Sequence, residues 1–220
     1  MTSFTDQFRD EGWAVVPELF SPTECAEIEA ALGRRTYPEM TPEVLAWATD
    51  ERWAGPVLDL VGSEVRLLRD QLVTKYPGSS GTVPWHQDAG FTPVGSGPFL
   101  TCFVALGDQT EVDGCLWVDP GSHLRGSLDH VAAGAILRVD AEVSAAARPV
   151  PLARGSVLCF SSLTLHFSGP NEGRSFRPAW IVQFSPVGAV GGRTGEPSGG
   201  PVVAEAGVWR RPPDGAVRCS

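Results

Sequence analysis

Lysine is almost absent from this chain of 220 residues, because Lys75 is its only lysine and the other basic side chains are arginines. The basic residues number 17 against 26 acidic ones, which gives a formal net charge of −9. Nucleic acids are bound through a basic face, so this charge balance argues against polyanion binding as the main role. The sequence predicts no nucleic-acid partner.

Long apolar runs are also missing, and none approaches the ~20 residues that a membrane helix needs. The first ten residues, Met1 to Asp10, lack the apolar core of a signal peptide. The sequence therefore predicts a cytoplasmic protein without a membrane partner.

Three common catalytic motifs are absent. The chain has no phosphate-binding loop, no Gly-x-Ser-x-Gly nucleophile elbow and no Gly-x-Gly-x-x-Gly dinucleotide fingerprint. ATP-dependent and serine-hydrolase chemistry lose support. No Cys-x-x-Cys pair occurs among the five cysteines, and several of them lie in apolar runs such as Cys102-Phe103-Val104. Buried free thiols therefore explain the cysteines better than disulfides or a zinc site.

Hydrophobic residues make up 42% of the chain and charged residues 20%, which is typical of a globular protein. We expect a single domain over 1–220, with a mostly helical flank at 1–62, a β-rich core at 63–186 and a Gly/Pro-rich segment at 187–220. The C-terminal segment is interpreted as loose or peripheral, with an active-site lid as the alternative.

The N-terminal flank carries clear helix signals. Ser21-Pro22-Thr23-Glu24 is a capping box with proline at the first helical position, and it predicts a helix over 22–33. Thr41-Pro42-Glu43 opens a second helix that runs toward residue 62, with a break near Gly55-Pro56. A short strand is predicted at 13–16.

From residue 64 the pattern changes to short β-like segments separated by Gly, Pro, Asp and Ser, which favours an antiparallel double-sheet barrel. The long connection 120–148 shows little strand character and is a candidate cover for the barrel mouth. The predicted strands are 64–76, 85–90, 98–106, 114–118, 149–152, 155–160, 164–168 and 177–185.

Four histidines remain as candidates for chemistry. In His86-Gln87-Asp88 the spacing is two, so on a strand the imidazole and the carboxylate would project from one face and one metal could take both. His166 ends a β-rich stretch and could come from an adjacent strand. Two imidazoles and one carboxylate on one face of a metal are typical of non-haem Fe(II) oxygenases.

Arg177 lies eleven residues after His166, at the head of an apolar strand. If this arginine points inward it must find an anion, and its planar fork matches a carboxylate. His123 is interpreted as a structural residue that bonds loop backbone groups, and His130 as a loop residue. Trp85 and Trp117 flank the candidate site and are candidates for a substrate pocket.

Three blocks of the sequence resemble the phytanoyl-CoA dioxygenase (PhyH-like) family of Fe(II)/2-oxoglutarate-dependent oxygenases. Trp85-His86-Gln87-Asp88 is similar to the family's iron-binding block, and 114–126 is similar to its Pro-Gly-Ser-His segment. The third block runs from His166 through Asn171 to Arg177. The resemblance extends over most of the chain, from Gly12 to about Pro186.

This resemblance implies a mainly β fold, a double-stranded β-helix (jelly-roll, cupin-like) core flanked by helices. It implies a dioxygenase that uses Fe(II), 2-oxoglutarate and molecular oxygen to hydroxylate or otherwise oxidise a C–H bond of a small molecule. The implied residues are His86, Asp88 and His166 as iron ligands and catalytic residues, and Arg177, Ser168, Phe103 and Lys75 as cofactor-binding residues.

Alternatives stay open at this stage. A halogenase of the same family would carry a small residue at the acidic ligand, and Asp88 argues against it. A cupin-like metalloenzyme would not use 2-oxoglutarate, and Arg177 argues against it. A jelly-roll binding module would catalyse no reaction, and the complete triad together with Arg177 argues against it. Because cations are sparse, we expect a free small molecule of specialised metabolism as substrate rather than an acyl-CoA.

Overall fold

The computed structural model describes residues 3–33, 41–91, 97–134, 136–189 and 200–212. The α-helices in these ranges are α1 Phe4–Glu11, α2 Pro22–Leu32, α3 Pro42–Ala48, α4 Ala54–Val61 and α5 Asp88–Phe91. Short 3₁₀ helices lie at Glu51–Trp53 and Ser122–Arg125. The strands are β1 Trp13–Val16, β2 Val65–Lys75, β3 Val83–His86, β4 Leu100–Ala105, β5 Leu116–Val118, β6 His130–Ala133, β7 Ile136–Val139, β8 Arg148–Val150, β9 Val157–Ser161, β10 His166–Ser168, β11 Arg177–Pro186, β12 Val202–Glu205 and β13 Val208–Trp209.

Two antiparallel sheets form the body of the fold. The larger sheet has the strand order β1-β9-β4-β11-β2-β12-β13, and the smaller sheet has the order β3-β10-β5-β8. Apart from β12 and β13, neighbours within the two sheets come from distant parts of the chain, as in a jelly roll. The prediction of a mainly β, double-stranded β-helix core with flanking helices is confirmed.

The larger sheet has a buried layer on each face. On one face, α2, α3 and α4 pack against it in a cluster that includes Ile28 of α2, Val44 of α3, Val57 of α4 and Trp180 of the sheet itself. On the other face a second cluster includes Phe103, Leu116, Val118 and Phe160, which come from both sheets. Strand residues alternate between the two layers, so every second residue of β2, β4 and β11 faces the barrel interior.

The helix over 22–33 is confirmed with its capping box, in which Ser21 Oγ accepts from the Glu24 amide and Glu24 accepts from the Ser21 amide. The second helix differs from the prediction, because it breaks at Thr49-Asp50 rather than near Gly55-Pro56. Asp50 accepts a hydrogen bond from the Arg52 amide and starts the next turn. Pro56 lies in the first turn of α4, where a missing N–H breaks no helical bond.

Two segments are more ordered than their sequence patterns predict. The connection 120–148 contains the hairpin β6–β7, so the expectation of little strand character is wrong there. The C-terminal segment supplies β12, which pairs with β2 and buries Val203 and Ala204, so residues 200–209 are neither loose nor a lid.

The four cysteines in the described ranges are buried free thiols, and Cys219 lies outside those ranges.

No helix in the described ranges is long and apolar enough to cross a membrane.

Candidate active site

His86, Asp88 and His166 converge inside the barrel. His86 ends β3, and His166 begins β10 directly opposite it in the antiparallel register. Asp88 Oδ1 lies 3.7 Å from His86 Nε2 and 3.5 Å from His166 Nε2. One ligand atom from each residue falls within 4.8 Å of the others, a spacing that a single metal ion can bridge.

The chain reaches this arrangement by a turn. The predicted strand 85–90 stops at His86, and Asp88 is the first residue of α5. The intervening Gln87 is fully buried, and its amide donates to the carbonyls of Gly126 and Leu163 while its Oε1 accepts from the Leu128 amide. The two ligands thus share one side because Gln87 is anchored in the opposite direction.

Both imidazoles are oriented for metal binding. His86 Nδ1 lies 2.7 Å from the Pro84 carbonyl, and His166 Nδ1 lies 3.0 Å from the Thr164 carbonyl. A carbonyl only accepts, so Nδ1 carries a proton in each ring and Nε2 is the nitrogen that faces the metal position. Burial and the charge of His86 lower the pKa of His166 to about 4, against a weaker opposing effect of Asp88, so the ring is neutral at pH 7.

The carboxylate of Asp88 is fixed by two donors. Thr101 Oγ1 lies 2.6 Å from Asp88 Oδ2, and Gln183 Nε2 lies 3.2 Å from the same atom. Burial alone would raise the pKa of Asp88, but the two histidines and the Thr101 hydrogen bond outweigh it and hold the pKa well below its usual range. The ionised form, which is the one that binds a cation, is therefore favoured.

These three residues open onto a cavity of about 460 Å³. Arg177, Ser168 and Phe103 line the same cavity, as do Arg69 and Ile136. The remaining lining comprises Gln71 and the apolar residues Val73, Val83, Phe91, Leu116, Phe160 and Ile181. A cavity that combines apolar walls with convergent polar groups is typical of a small-molecule site.

Arg177 places a buried positive charge at the cavity with no acidic partner among the residues that the structure describes. It is 1% exposed, its Nε has no hydrogen-bond partner, and its Nη1 contacts Gln109 Oε1 only at 3.5 Å. Its Cζ lies 5.5 Å from the centre of the Phe103 ring. Burial lowers the pKa of Arg177 to about 10, which leaves it charged at neutral pH. A buried arginine with unmet donors fits a carboxylate ligand.

Lys75 is placed differently from the other residues expected to bind the cofactor. Its Nζ donates to the carbonyls of Gly81, Ser168 and Gly169 and does not line the cavity. An ammonium has three donors, so these bonds use all of them. The geometry favours a role in which Lys75 holds the backbone behind Ser168.

Two aromatic predictions are wrong. Trp85 and Trp117 stay outside the cavity lining, because each is next in sequence to an inward-facing residue and so projects from the opposite side of its strand. Trp85 instead stacks on Phe167, with ring centres 5.4 Å apart. His123 contacts the Arg9 carbonyl through Nε2, which is the kind of backbone contact expected of it.

Several residues around the site were missed at the level of sequence. Thr101, Gln183 and Arg69 lie on three different strands and meet only through sheet pairing. His130, interpreted as a loop residue, begins β6, and its Nε2 accepts from the Gln87 amide between the two candidate ligands. Period-two counting along a strand could have found Gln183 from Arg177, Thr101 from Phe103 and Arg69 from Lys75, whereas nothing local marks His130.

Comparisons with known proteins agree with this geometry. The family model for phytanoyl-CoA dioxygenase (PhyH) matches residues 39–179. A methylphosphonate hydroxylase of Gimesia maris is 28% identical over 217 residues, which cover 82% of this chain and 78% of the relative. A 2-aminoethylphosphonate dioxygenase of an uncultured bacterium is 28% identical over 132 residues, which cover 60% of this chain and 50% of the relative.

Among solved structures, EvdO2 from Micromonospora carbonacea var. aurantiaca, complexed with 2-oxoglutarate, has a TM-score of 0.71 at 23% identity. The alignment covers 88% of this chain and 94% of that structure, and it shows a shared fold. The family match spans more than half of the chain and includes His86, Asp88 and His166. The chain belongs to the phytanoyl-CoA dioxygenase (PhyH) family of Fe(II)- and 2-oxoglutarate-dependent oxygenases.

Proposed function

We propose that His86, Asp88 and His166 hold Fe(II) and that Arg177 binds the C5 carboxylate of 2-oxoglutarate. The observation that carries this proposal is the convergence of three preoriented ligand atoms and a buried, unmatched guanidinium on one cavity. A cupin-like enzyme without 2-oxoglutarate would leave the charge of Arg177 without an anion, and so would a binding module without a cofactor.

Bound iron and 2-oxoglutarate supply, together with molecular oxygen, the oxidising power for a C–H bond, and the co-substrate leaves as succinate and carbon dioxide. The protein's part is to orient the metal ligands and the co-substrate and to exclude water from them. Thr101 and Gln183 fix one oxygen of Asp88, which leaves the other for the metal. The carbonyls of Pro84 and Thr164 keep both imidazole rings in the ligating tautomer.

Three further residues support the co-substrate in this proposal. Ser168 is buried and lines the cavity, where its hydroxyl can bond the C5 carboxylate beside Arg177. Phe103 lies under the guanidinium and excludes water from it. Lys75 acts as a positioning residue, because its ammonium holds the carbonyls of Ser168 and Gly169.

The substrate in this proposal is a free small molecule that the protein hydroxylates. The protein acts in the cytoplasm as a single oxygenase domain. The cavity of about 460 Å³ suits a small ligand. The names of the two relatives describe enzymes that act on small phosphonates, which supports a compact substrate over an acyl-CoA thioester.

Metal binding and co-substrate turnover test the proposal together. Anaerobic titration of the apoprotein with Fe(II) is expected to give one ion per chain, and His166→Ala is expected to abolish that binding. The aerobic iron-loaded wild type is expected to release succinate from 2-oxoglutarate. His123→Gln is the matched control, because His123 contacts the Arg9 carbonyl and does not line the cavity, and it is expected to keep both properties. A wild type that releases no succinate contradicts the proposal.

A further inference from the structure

A second arginine faces the same cavity. Arg69 lies on β2, where it pairs with Gln183 of β11, and it lines the cavity together with Gln71 and Val73 of its own strand. Among the residues that the structure describes, no acidic side chain forms an ion pair with Arg69, and its hydrogen bond is from Nε to Gln183 Oε1 at 2.9 Å. Its two terminal nitrogens therefore have no protein partner within those residues.

The orientation of Arg69 is fixed from behind. Gln183 is 1% exposed, and its amide nitrogen is held by Asp88 Oδ2 and Thr101 Oγ1. Its oxygen is therefore committed to the Arg69 Nε. The strand pairing shifts register between Gln183 and Phe184, so a bulge adjoins Arg69. Bulges commonly occur beside active sites, where they aim a side chain.

The charges of the proposed site leave Arg69 unmatched. Fe(II), Arg177 and the adjacent Lys75 carry four positive charges, whereas Asp88 and the 2-oxoglutarate dianion carry three negative ones. The negative charges of the proposed site are therefore used before Arg69 is counted. A guanidinium in a partly enclosed cavity, with donors and a charge that no described residue satisfies, favours a bound anion.

We propose that Arg69 binds an oxyanion of the substrate, a carboxylate or a phosphonate, and that the substrate class is a small organic acid. This inference rests on the proposed function and adds the group by which the substrate is recognised. Phe91 and Ile136 supply apolar walls for the remainder of the substrate. Because Gln183 contacts both Asp88 and Arg69, the anion-binding arginine is connected to the metal ligand through a single side chain.

Binding of matched probes tests the inference directly. The anaerobic protein, loaded with Fe(II) and saturated with 2-oxoglutarate so that Arg177 is occupied, is titrated calorimetrically with pentanoate, pentylphosphonate and pentanamide. The three probes share one apolar chain, and the first two distinguish the two oxyanions. We expect at least one anion to bind the wild type at least 10-fold more tightly than the neutral amide.

Substitution of the arginine completes the test. Arg69→Gln is expected to weaken binding of that anion at least 10-fold, and Arg69→Lys is expected to weaken it less, because lysine keeps the charge and loses the planar fork. Arg66→Gln is the matched control, since Arg66 lies three residues earlier on the same strand and does not line the cavity. This control is expected to bind the anion as the wild type does.

Three results would overturn the inference: no anion binds the wild type, the amide binds as tightly as the anions, or Arg69→Gln and Arg69→Lys both keep wild-type affinity. These results are distinct from failure of the proposed function. A wild type that releases no succinate contradicts the proposed function, whereas succinate release combined with anion binding that ignores Arg69 contradicts this inference alone.

Discussion

Arg177 and Lys75 occupy opposite positions on the neighbouring strands β11 and β2, so two buried cations adjoin in the interior of the fold. Burial and the charge of Arg177 together lower the pKa of Lys75 to about 8. Such a pair is costly unless an anion offsets it. A dicarboxylate co-substrate is a partner of the required sign.

Replacement of Arg177 tests that partnership. Arg177→Gln is expected to raise the KM for 2-oxoglutarate about 10- to 100-fold, since hydrogen bonds to charged groups are worth about 1.5–3 kcal/mol. Arg177→Lys is expected to raise the KM for 2-oxoglutarate by a smaller factor. The measurement is succinate release at varied 2-oxoglutarate, with Arg148→Gln as a control that removes an arginine paired with Glu11. An unchanged KM in Arg177→Gln would show that this arginine does not bind the co-substrate.

Thr101→Val is expected to weaken Fe(II) binding about 10- to 100-fold, the usual effect of losing an outer partner of a metal ligand. Valine keeps the shape of threonine and removes the hydrogen bond to Asp88 Oδ2. Anaerobic Fe(II) titration of the apoprotein measures the change. Thr74→Val, a substitution of the same kind on β2 away from the cavity, is the control, and equal affinity in both variants contradicts the prediction.

Asp70 makes the stability of the folded protein depend on pH. It is buried against Trp180, whose indole N–H donates to it at 3.1 Å, and burial raises the pKa of Asp70 from 3.8 to about 6. Between these pH values the folded protein holds a proton that the unfolded chain has released, so the contribution of Asp70 to stability falls as the pH rises through that window.

Asp70→Asn removes this charge and keeps an acceptor for Trp180. We expect the free energy of unfolding to rise at pH 7.5 by on the order of 2 kcal/mol, and by clearly less at pH 4.5. Urea unfolding at the two pH values measures it. Asp59→Asn, on the exposed side of α4, is the control and should change the free energy of unfolding little at either pH. An equal gain from Asp70→Asn at both pH values would refute the assigned cause.

Among the glycines that the structure describes, Gly155 has the least room for a side chain. Its φ is +87°, and a Cβ there would lie 1.8 Å from the Phe20 carbonyl oxygen. Gly155→Ala is therefore expected to lower the free energy of unfolding by roughly 3 kcal/mol or more. Gly188→Ala has φ +93° and no neighbour within 4 Å, so it isolates the backbone strain and is expected to cost less. Equal losses in the two variants would rule out a steric cause.

The sequence was informative wherever the signal was local. The capping box at Ser21 and the alternation along β2 and β11 predicted elements that the structure contains. The spacing of His86 and Asp88 correctly suggested that the two side chains meet, although a turn rather than a strand brings them together.

Long-range features could not be read in the same way. The contacts among Arg69, Gln183 and Thr101 depend on the register of three strands whose positions in the chain span more than a hundred residues. The hairpin β6–β7 was missed because its alanines and glycine carry little strand preference, and pairing between its strands outweighs that preference.

The buried side chain of Gln87 has a consequence for protein engineering. It bonds backbone groups of Gly126, Leu128 and Leu163, and the backbone N–H of Gln87 donates to the His130 imidazole. Loop grafting that replaces the connection after the 3₁₀ helix at Ser122–Arg125, as a way to change substrate preference, would also remove the supports of the turn between His86 and Asp88. Activity in such chimaeras therefore depends on transplanting that loop together with its glutamine contacts.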